Sequence, residues 1–165
     1  MSRRFPKISE AGLRLREKQK MRYHYGLGEK QLRLIYQRAK RMKGDTGRNM
    51  VAQLEARLDN LVWRAGLTRT VPAARQLVAH GHVELNGHRA KTPSQQLQSG
   101  DVFKLLGKAA SRDDIRLSAN NPVLEPPPGL KIDLDTMTIT VEALPAMEQC
   151  PVEIDIQKVI EFYSR

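Results

Sequence analysis

The sequence has little of what disulfide frameworks, metal sites and membrane spans require. Cysteine occurs once among the 165 residues, at Cys150, so no internal disulfide can form. One cysteine and four histidines supply too few ligands at zinc-binding spacing. No long apolar run is present, which argues against a transmembrane helix and a signal peptide. We therefore expect a soluble, intracellular protein that holds no metal or cofactor and crosses no membrane.

Aromatic residues are also scarce, at 5% of the chain, although 40% of the residues are hydrophobic. Leu and Val must therefore supply most of a modest core. The length fits one domain, or two small ones that share a core.

Residue patterns typical of catalysis are missing as well. Three of the four histidines fall within residues 80–88, where Glu84 is the only further metal ligand. Gly26 and Gly28 lack the lysine and the spacing of a phosphate-binding loop. The acidic pairs at residues 113–114 and at 133 and 135 fit turns and caps better than acid–base chemistry. We expect no enzymatic activity.

Positive charge, in contrast, is abundant and concentrated in the first third of the chain. The net charge is +10, and residues 1–50 hold 15 Lys/Arg against 4 Asp/Glu. Residues 51–165 hold 13 against 14 and are nearly neutral. So local an excess favours a polyanionic partner, either nucleic acid or an anionic membrane, over a merely soluble surface.

The first half of the sequence predicts helices. Residues 1–8 form a basic arm, and a helix begins after Ser9 and ends near Tyr25. Apolar residues at helical spacing predict further helices over residues 29–43 and 47–65. Thr70 can cap a fourth helix, with Pro72 in its first turn.

The second half changes to the period of two that indicates strands. Strands are predicted at residues 82–85 and 89–91 around the tight turn Asn86-Gly87, and at residues 102–106. Residues 108–128 read as a polar loop or linker that ends in three prolines. Residues 131–134 and 138–141 predict a hairpin, and residues 154–163 a terminal helix or strand.

The segment from residue 57 to residue 86 combines helix, short loop, helix and strand with groups that bind RNA. Arg guanidinium groups can bind phosphate through two hydrogen bonds, and the helix after the loop presents free amides. Arg57, Asn60 and Arg64 are spaced to share one polar helix face, and we expect an Arg57, Arg64 and Arg75 cluster to contact phosphates. The expected RNA-binding residues here are Arg57, Arg64, Arg69, Arg75, Gln76, His80 and Asn86.

Two other interpretations of this segment remain open. It could be an ordinary helical hairpin with solvated arginines, or a helix-turn-helix that reads DNA. Pro72 and the two alanines after it leave few base-reading side chains at the helix start, which favours folded RNA over duplex DNA. In the basic first third, we expect RNA contacts from Arg14, Arg16, Lys18, Lys20, Arg22, Lys40, Arg41 and Lys43.

Several motifs resemble a known family. Residues 54–101 read LEARLDNLVWRAGLTRTVPAARQLVAHGHVELNGHRAKTPSQQLQSGD, which closely resembles the RNA-binding domain first described in ribosomal protein four of the small subunit. That domain also occurs in RNA-modifying enzymes and in RNA-binding factors. The flanking motifs LREKQKMRYHYGLGEKQLR, GDTGRNMVAQLE and VIEFYSR resemble the ribosomal family itself. The resemblance therefore favours a ribosomal structural protein over an RNA-modifying enzyme or a free RNA chaperone or rescue factor.

The resemblance implies an α+β fold, with a helical N-terminal domain followed by a helix-loop-helix and an antiparallel sheet. We expect domains at residues 1–53, 54–118 and 119–165, the last a hairpin and terminal segment that pack back on the core. Some family members carry a longer, zinc-binding N-terminal segment, but this sequence lacks those cysteines.

The family's role implies partners and a location. A member would bind small-subunit ribosomal RNA at a helix junction and nucleate assembly. It would lie beside ribosomal proteins three and five of the small subunit, near the channel through which messenger RNA enters. The ribosome could be that of a bacterial cytoplasm, a plastid or a mitochondrion.

Overall fold

The computed structural model describes residues 6–165 and divides into two compact units. Unit 1 comprises Met1–Met50 together with Pro151–Arg165, and unit 2 comprises Val51–Cys150. Residues 1–5 of the predicted basic arm lie outside the described residues. The predicted division at residues 53 and 118 stays a prediction.

Unit 1 is built from helices whose ends follow local sequence signals. Helix α1 spans Glu10–Tyr25 and α2 spans Glu29–Arg41. The Ser9 hydroxyl caps α1 by accepting a hydrogen bond from the amide of Gly12 at 3.1 Å. Gly26 ends α1 with a left-handed backbone, at φ 66°. These two helices confirm the predictions from the sequence.

The C-terminal helix completes unit 1. The terminal segment is a helix, α8 (Ile156–Tyr163), which packs against α1 and contacts α2. The ring of Tyr163 stacks on that of Tyr36 of α2, with centroids 5.2 Å apart. At the other end of α8, the amide of Asp155 donates to Glu17 of α1 at 2.9 Å. Residues from both ends of the chain therefore form one helical core.

The predicted single helix over residues 47–65 is wrong, because the chain leaves the helix at residues 56–57. Helix α3 spans Thr46–Glu55 and α4 spans Leu58–Arg64. Between them, the amide of Leu58 donates to the carbonyl of Gln95 at 2.9 Å. The amide of Leu97 donates to the carbonyl of Ala56 at 2.8 Å. Pairing with this distant loop replaces the helical hydrogen bonds.

Unit 2 packs helices on an antiparallel sheet. Helix α5 (Val71–Ala79) follows α4, and Thr70 caps it as predicted. The strands are β1 (Val83–Leu85), β2 (His88–Ala90), β3 (Val102–Leu105), β4 (Leu130–Asp133) and β5 (Thr138–Val141), in the order β2-β1-β3-β5-β4. Leu58, Leu61 and Leu77 of the helices share one buried core with Phe103 and Ile139 of the sheet. The predicted α+β fold is therefore confirmed.

The predicted loop over residues 108–128 is partly wrong, because its first half is helical. Helix α6 spans Gly107–Ala110 and α7 spans Asp113–Asn120. Ile115 of α7 is buried in the core of unit 2. The hydroxyl of Ser118 donates to the carbonyl of Gly66 at 2.8 Å. Ala119 of α7 is buried in the same core, so two apolar side chains and one hydrogen bond hold α7 in place. So few contacts leave only a weak signal in the sequence.

Candidate nucleic-acid interface

Helix α2 has one buried face and one cationic face. Its buried stripe consists of Leu32, Ile35, Tyr36 and Ala39. Glu29, in the first turn, is its only acidic residue. We call its exposed cations, with the lysine just beyond its end, the α2 basic face: Lys30, Arg33, Arg38, Lys40, Arg41 and Lys43. The sequence-based prediction included only Lys40, Arg41 and Lys43. Helical spacing could also have identified the other three, because they fall between the apolar positions.

The cations of α1 are more occupied by neighbouring side chains than the sequence suggested. Lys18 is 4% exposed, and its ammonium lies 2.6 Å from the carboxylate of Glu29. Lys20 is half-buried and binds Glu17 at 2.9 Å. Of the five predicted cations of this helix, only Arg16 is exposed, while the other two, Arg14 and Arg22, are half-buried. Lys18 therefore holds helices together.

Arg57 and Arg64 are buried inside unit 2 and do not form an exposed polar face with Asn60. Arg57 donates from Nε and Nη2 to the two carboxylate oxygens of Asp59, each at 3.1 Å. Nη2 of Arg64 donates to the carbonyl of Gln149 at 2.7 Å. The prediction that these three residues share one polar helix face is wrong, because all three are buried.

A buried acidic residue explains the position of Arg64. Glu55 is fully buried, and its carboxylate lies 3.7 Å from Nε of Arg64. The side-chain amide of Asn60 donates to the same carboxylate at 2.8 Å. Buried charges require partners of this kind. The sequence contains a sign of this burial, since these polar residues alternate with apolar ones. The same pattern is equally typical of an amphipathic helix at the surface.

The remaining predicted residues of unit 2 do meet at the surface. A groove of about 390 Å³ lies between α5 and α7, and we call it the α5–α7 groove. Arg69, Gln76 and His80 line it, and all three are exposed. The indole of Trp63 donates to the carbonyl of Arg69 at 3.4 Å, which holds the loop before α5. Arg75, also on α5, is half-buried and does not line this groove.

The opposite wall of the α5–α7 groove carries a cation that the sequence-based prediction missed. Arg112 is exposed and binds the carboxylate of Asp114 at 2.8 Å. This hydrogen bond lowers the pKa of Asp114 below its usual value, because it favours the charged form of the carboxylate. Arg112 was missed because residues 108–128 were interpreted as a loop with no fixed place in the fold.

Asn86, another predicted RNA contact, uses its side chain within the protein. It lies in the β1–β2 turn with φ 50°, followed by Gly87 at φ 87°, as the tight turn requires. Its side-chain amide donates to Asp101 at 3.0 Å, and its side-chain oxygen accepts from the amide of Val102 at 2.9 Å. These bonds fix the hairpin to β3.

Residues 6–165 lack two other kinds of site. No three His, Cys, Asp or Glu side chains in this range come together in a way that could hold a metal ion. No helix in the same range combines the length and the apolar character needed to cross a bilayer.

The chain is similar to known proteins along nearly its whole length. Residues 1–55 match the model of the Ribosomal protein S4/S9 N-terminal domain, and residues 56–103 match that of the S4 domain. The small ribosomal subunit protein uS4 of Oceanobacillus iheyensis is 44% identical over 161 residues, covering 96% of this chain and 79% of that protein. The protein of the same name from Geobacillus stearothermophilus is 42% identical, with the same coverage. A Synechococcus uS4 is also 42% identical and covers 96% and 78%. This chain belongs to the uS4 family. The resemblance identified from the sequence is confirmed.

The two family matches meet at the point where the chain leaves helix α3. The boundary between the two uS4 domain matches, at residues 55 and 56, coincides with the end of α3. The α2 basic face lies in the N-terminal match. Most of the α5–α7 groove lies in the S4 domain match, but Arg112 lies beyond it.

Proposed function

We propose that this member of the uS4 family is a structural component of the small ribosomal subunit that binds its ribosomal RNA. The observation that carries the proposal is the α2 basic face, with six cations and one acidic residue at its start, in a chain whose family is ribosomal. Phosphate groups are the partners that such a face selects, because each contact releases bound counterions. The α5–α7 groove supplies a second set of donors.

The proposed contact residues differ from the sequence-based set. Lys18, Arg57, Arg64 and Asn86 are assigned to internal bonds, so we do not place them at the interface. For the half-buried cations Arg14, Lys20, Arg22 and Arg75, RNA contact stays a prediction. The proposed contacts are Arg16, Lys30, Arg33, Arg38, Lys40, Arg41, Lys43, Arg69, Gln76, His80 and Arg112.

The finer features of the role are also part of this proposal. We propose binding at a junction of RNA helices, where an α2 face and a separate groove can contact different strands. The protein would act early in assembly, beside ribosomal proteins three and five and near the channel through which messenger RNA enters. The ribosome would be that of a bacterial cytoplasm or an organelle.

Charge removal from the α2 basic face tests RNA binding. The variant Lys40→Gln/Arg41→Gln/Lys43→Gln should bind small-subunit ribosomal RNA more weakly. Its slope of log affinity against log salt should fall by roughly two to three units, since each lost phosphate contact removes slightly less than one. The control Lys104→Gln/Lys108→Gln/Lys131→Gln removes the same charge from exposed positions of unit 2 outside both surfaces and should retain the wild-type slope.

The slopes of the two triple variants can contradict the proposal. Equal slopes for both triple variants would show that net charge, and not the α2 basic face, determines binding. A high-salt wash of ribosomal particles gives an independent test, because a structural component stays with the small subunit whereas a loosely bound factor dissociates.

A further inference from the structure

Tyr23 is an aromatic side chain that the fold leaves outside. It is 70% exposed, and every other Phe, Trp and Tyr among residues 6–165 is buried or half-buried. Tyr25, two residues further along α1, is 1% exposed and belongs to the core of unit 1. Folding therefore leaves the ring of Tyr23 available to a partner.

One face of the Tyr23 ring is already covered by a cation. The guanidinium carbon of Arg22 lies 4.9 Å from the ring centroid. Nε of Arg22 donates to the side-chain oxygen of Gln19 at 2.8 Å, which holds the guanidinium in this position. Since most of the residue is still exposed, the opposite face of the ring is open to solvent.

The surroundings of Tyr23 are cationic. Lys20 lies one helical turn before it and Arg16 two turns before it, on the same side of α1. Glu17, which binds Lys20, is the only acidic residue of α1 in this stretch. Such a site suits nucleic acid, because a base can stack on the ring while the neighbouring cations neutralise the backbone phosphates. It suits the apolar surface of a protein partner less well.

We propose that Tyr23, backed by Arg22, is a stacking platform for one unpaired base of the RNA. The inference rests on the proposed function and adds a base-binding position to it. Sequence-specific recognition of RNA usually uses unstacked bases of loops and junctions, and aromatic rings receive them. Stacking involves no phosphate, so this contact contributes affinity that salt does not screen.

Affinity measurements on the full chain test the platform. Tyr23→Leu should weaken binding of small-subunit ribosomal RNA about tenfold. The loss should be equal at every salt concentration, because no counterion release is involved. Tyr23→Phe should bind as the wild type does, since it keeps the ring. Leu15→Ala is the matched control, because Leu15 is also exposed on α1, at 44%, but has no ring.

The partner base can be identified and then removed. Ultraviolet cross-linking should join Tyr23 to one nucleotide, which mass spectrometry identifies. An RNA that is abasic at that nucleotide should bind the wild type about tenfold more weakly, and should bind Tyr23→Leu no more weakly than intact RNA does.

The possible failures are distinguishable. If the wild type does not bind the RNA, the proposed function is wrong and the platform with it. If the wild type binds and Tyr23→Leu binds equally well, only the platform is wrong. If Tyr23→Leu binds RNA normally but no longer joins assembled particles, Tyr23 contacts a protein instead, which also overturns the platform.

Discussion

At the scale of single residues, arginines in unit 2 have two opposite roles. Arg57 and Arg64 carry charge into the interior, where Asp59 and Glu55 neutralise it. Arg69 keeps its charge at the surface of the α5–α7 groove. Burial of an ion pair adds little net stability, but removal of one partner leaves the other charge buried without compensation.

Arg64→Met should therefore destabilise the protein strongly. The variant keeps most of the side-chain volume but leaves the fully buried Glu55 without its cation, which costs about 3–5 kcal/mol. The free energy of unfolding can be measured with urea, and Trp63 in α4 provides a fluorescence signal from unit 2. Arg69→Met, at an exposed position, should change it by less than about 0.5 kcal/mol. A similarly small change in Arg64→Met would mean that its charge is not needed inside.

Glu29 connects three helices of unit 1 through one carboxylate. It accepts hydrogen bonds from Lys18 of α1 at 2.6 Å and from the hydroxyl of Tyr163 of α8 at 3.1 Å. The hydrogen bond from Lys18 holds the pKa of Glu29 below its usual value of 4.5, and Tyr163 adds to the effect. Burial, together with the nearby Glu29, in turn raises the pKa of Tyr163.

Acid should therefore weaken unit 1 through Glu29. Its pKa is depressed in the folded state, so its contribution is fully present above the unfolded value near 4.5 and is lost as the pH falls through the lower, folded value. Glu29→Gln should lower the melting temperature at pH 7 and flatten its decline below pH 4.5. Glu125→Gln, at an exposed position, should keep the wild-type profile. A Glu29→Gln profile parallel to that of the wild type would contradict this role.

At the scale of elements, the sequence predicts a helix end or a turn correctly where the contacts that form it lie between residues close in the chain. The Ser9 cap, the Gly26 stop and the Asn86-Gly87 turn depend on neighbours within a few residues, so the sequence identifies them. The break between α3 and α4 depends on hydrogen bonds to residues 93–97, which lie about forty positions away. No local pattern encodes such a partner, because the intact apolar stripe through this region is equally consistent with one long helix.

The candidate interface shows the same distinction. Helical spacing predicts that Lys40 and Arg41 are exposed, because exposure on a short amphipathic helix follows from its period. Lys43 is exposed just after that helix. The same reasoning failed for Arg57 and Arg64, since their acidic partners are recognisable only once α4 is folded against its surroundings. Arg112 was missed because placing it required knowing that α7 packs on the core through Ile115.

At the scale of the whole molecule, the two candidate surfaces lie in units of different chain topology. The α2 basic face belongs to unit 1, which needs residues from both ends of the chain. The α5–α7 groove belongs to unit 2, which is one continuous stretch with its own helices, sheet and core. Because all of its core contacts lie within one stretch of chain and do not need α8, unit 2 should fold as an isolated fragment.

We predict that these units divide affinity and discrimination between them. A fragment of residues 46–150 lacks the α2 basic face but keeps the α5–α7 groove. It should bind RNA weakly and with a shallow salt dependence, because few counterions are released. It should still prefer the cognate junction to unrelated RNA. Groove side chains such as Gln76 and His80 would recognise RNA by its shape and by hydrogen bonds, which differ between RNAs.

The measurement compares the fragment and the full chain on cognate and unrelated RNA over a salt series, after circular dichroism has established that the fragment is folded. Affinity equal to that of the full chain would mean that the α2 basic face is not the source of affinity. A folded fragment with no preference would mean that unit 1 discriminates between RNAs, which reverses the roles. Weak binding with retained preference is the expected result, because the α2 basic face offers long, flexible cations that accept any phosphate, whereas the groove has fixed walls.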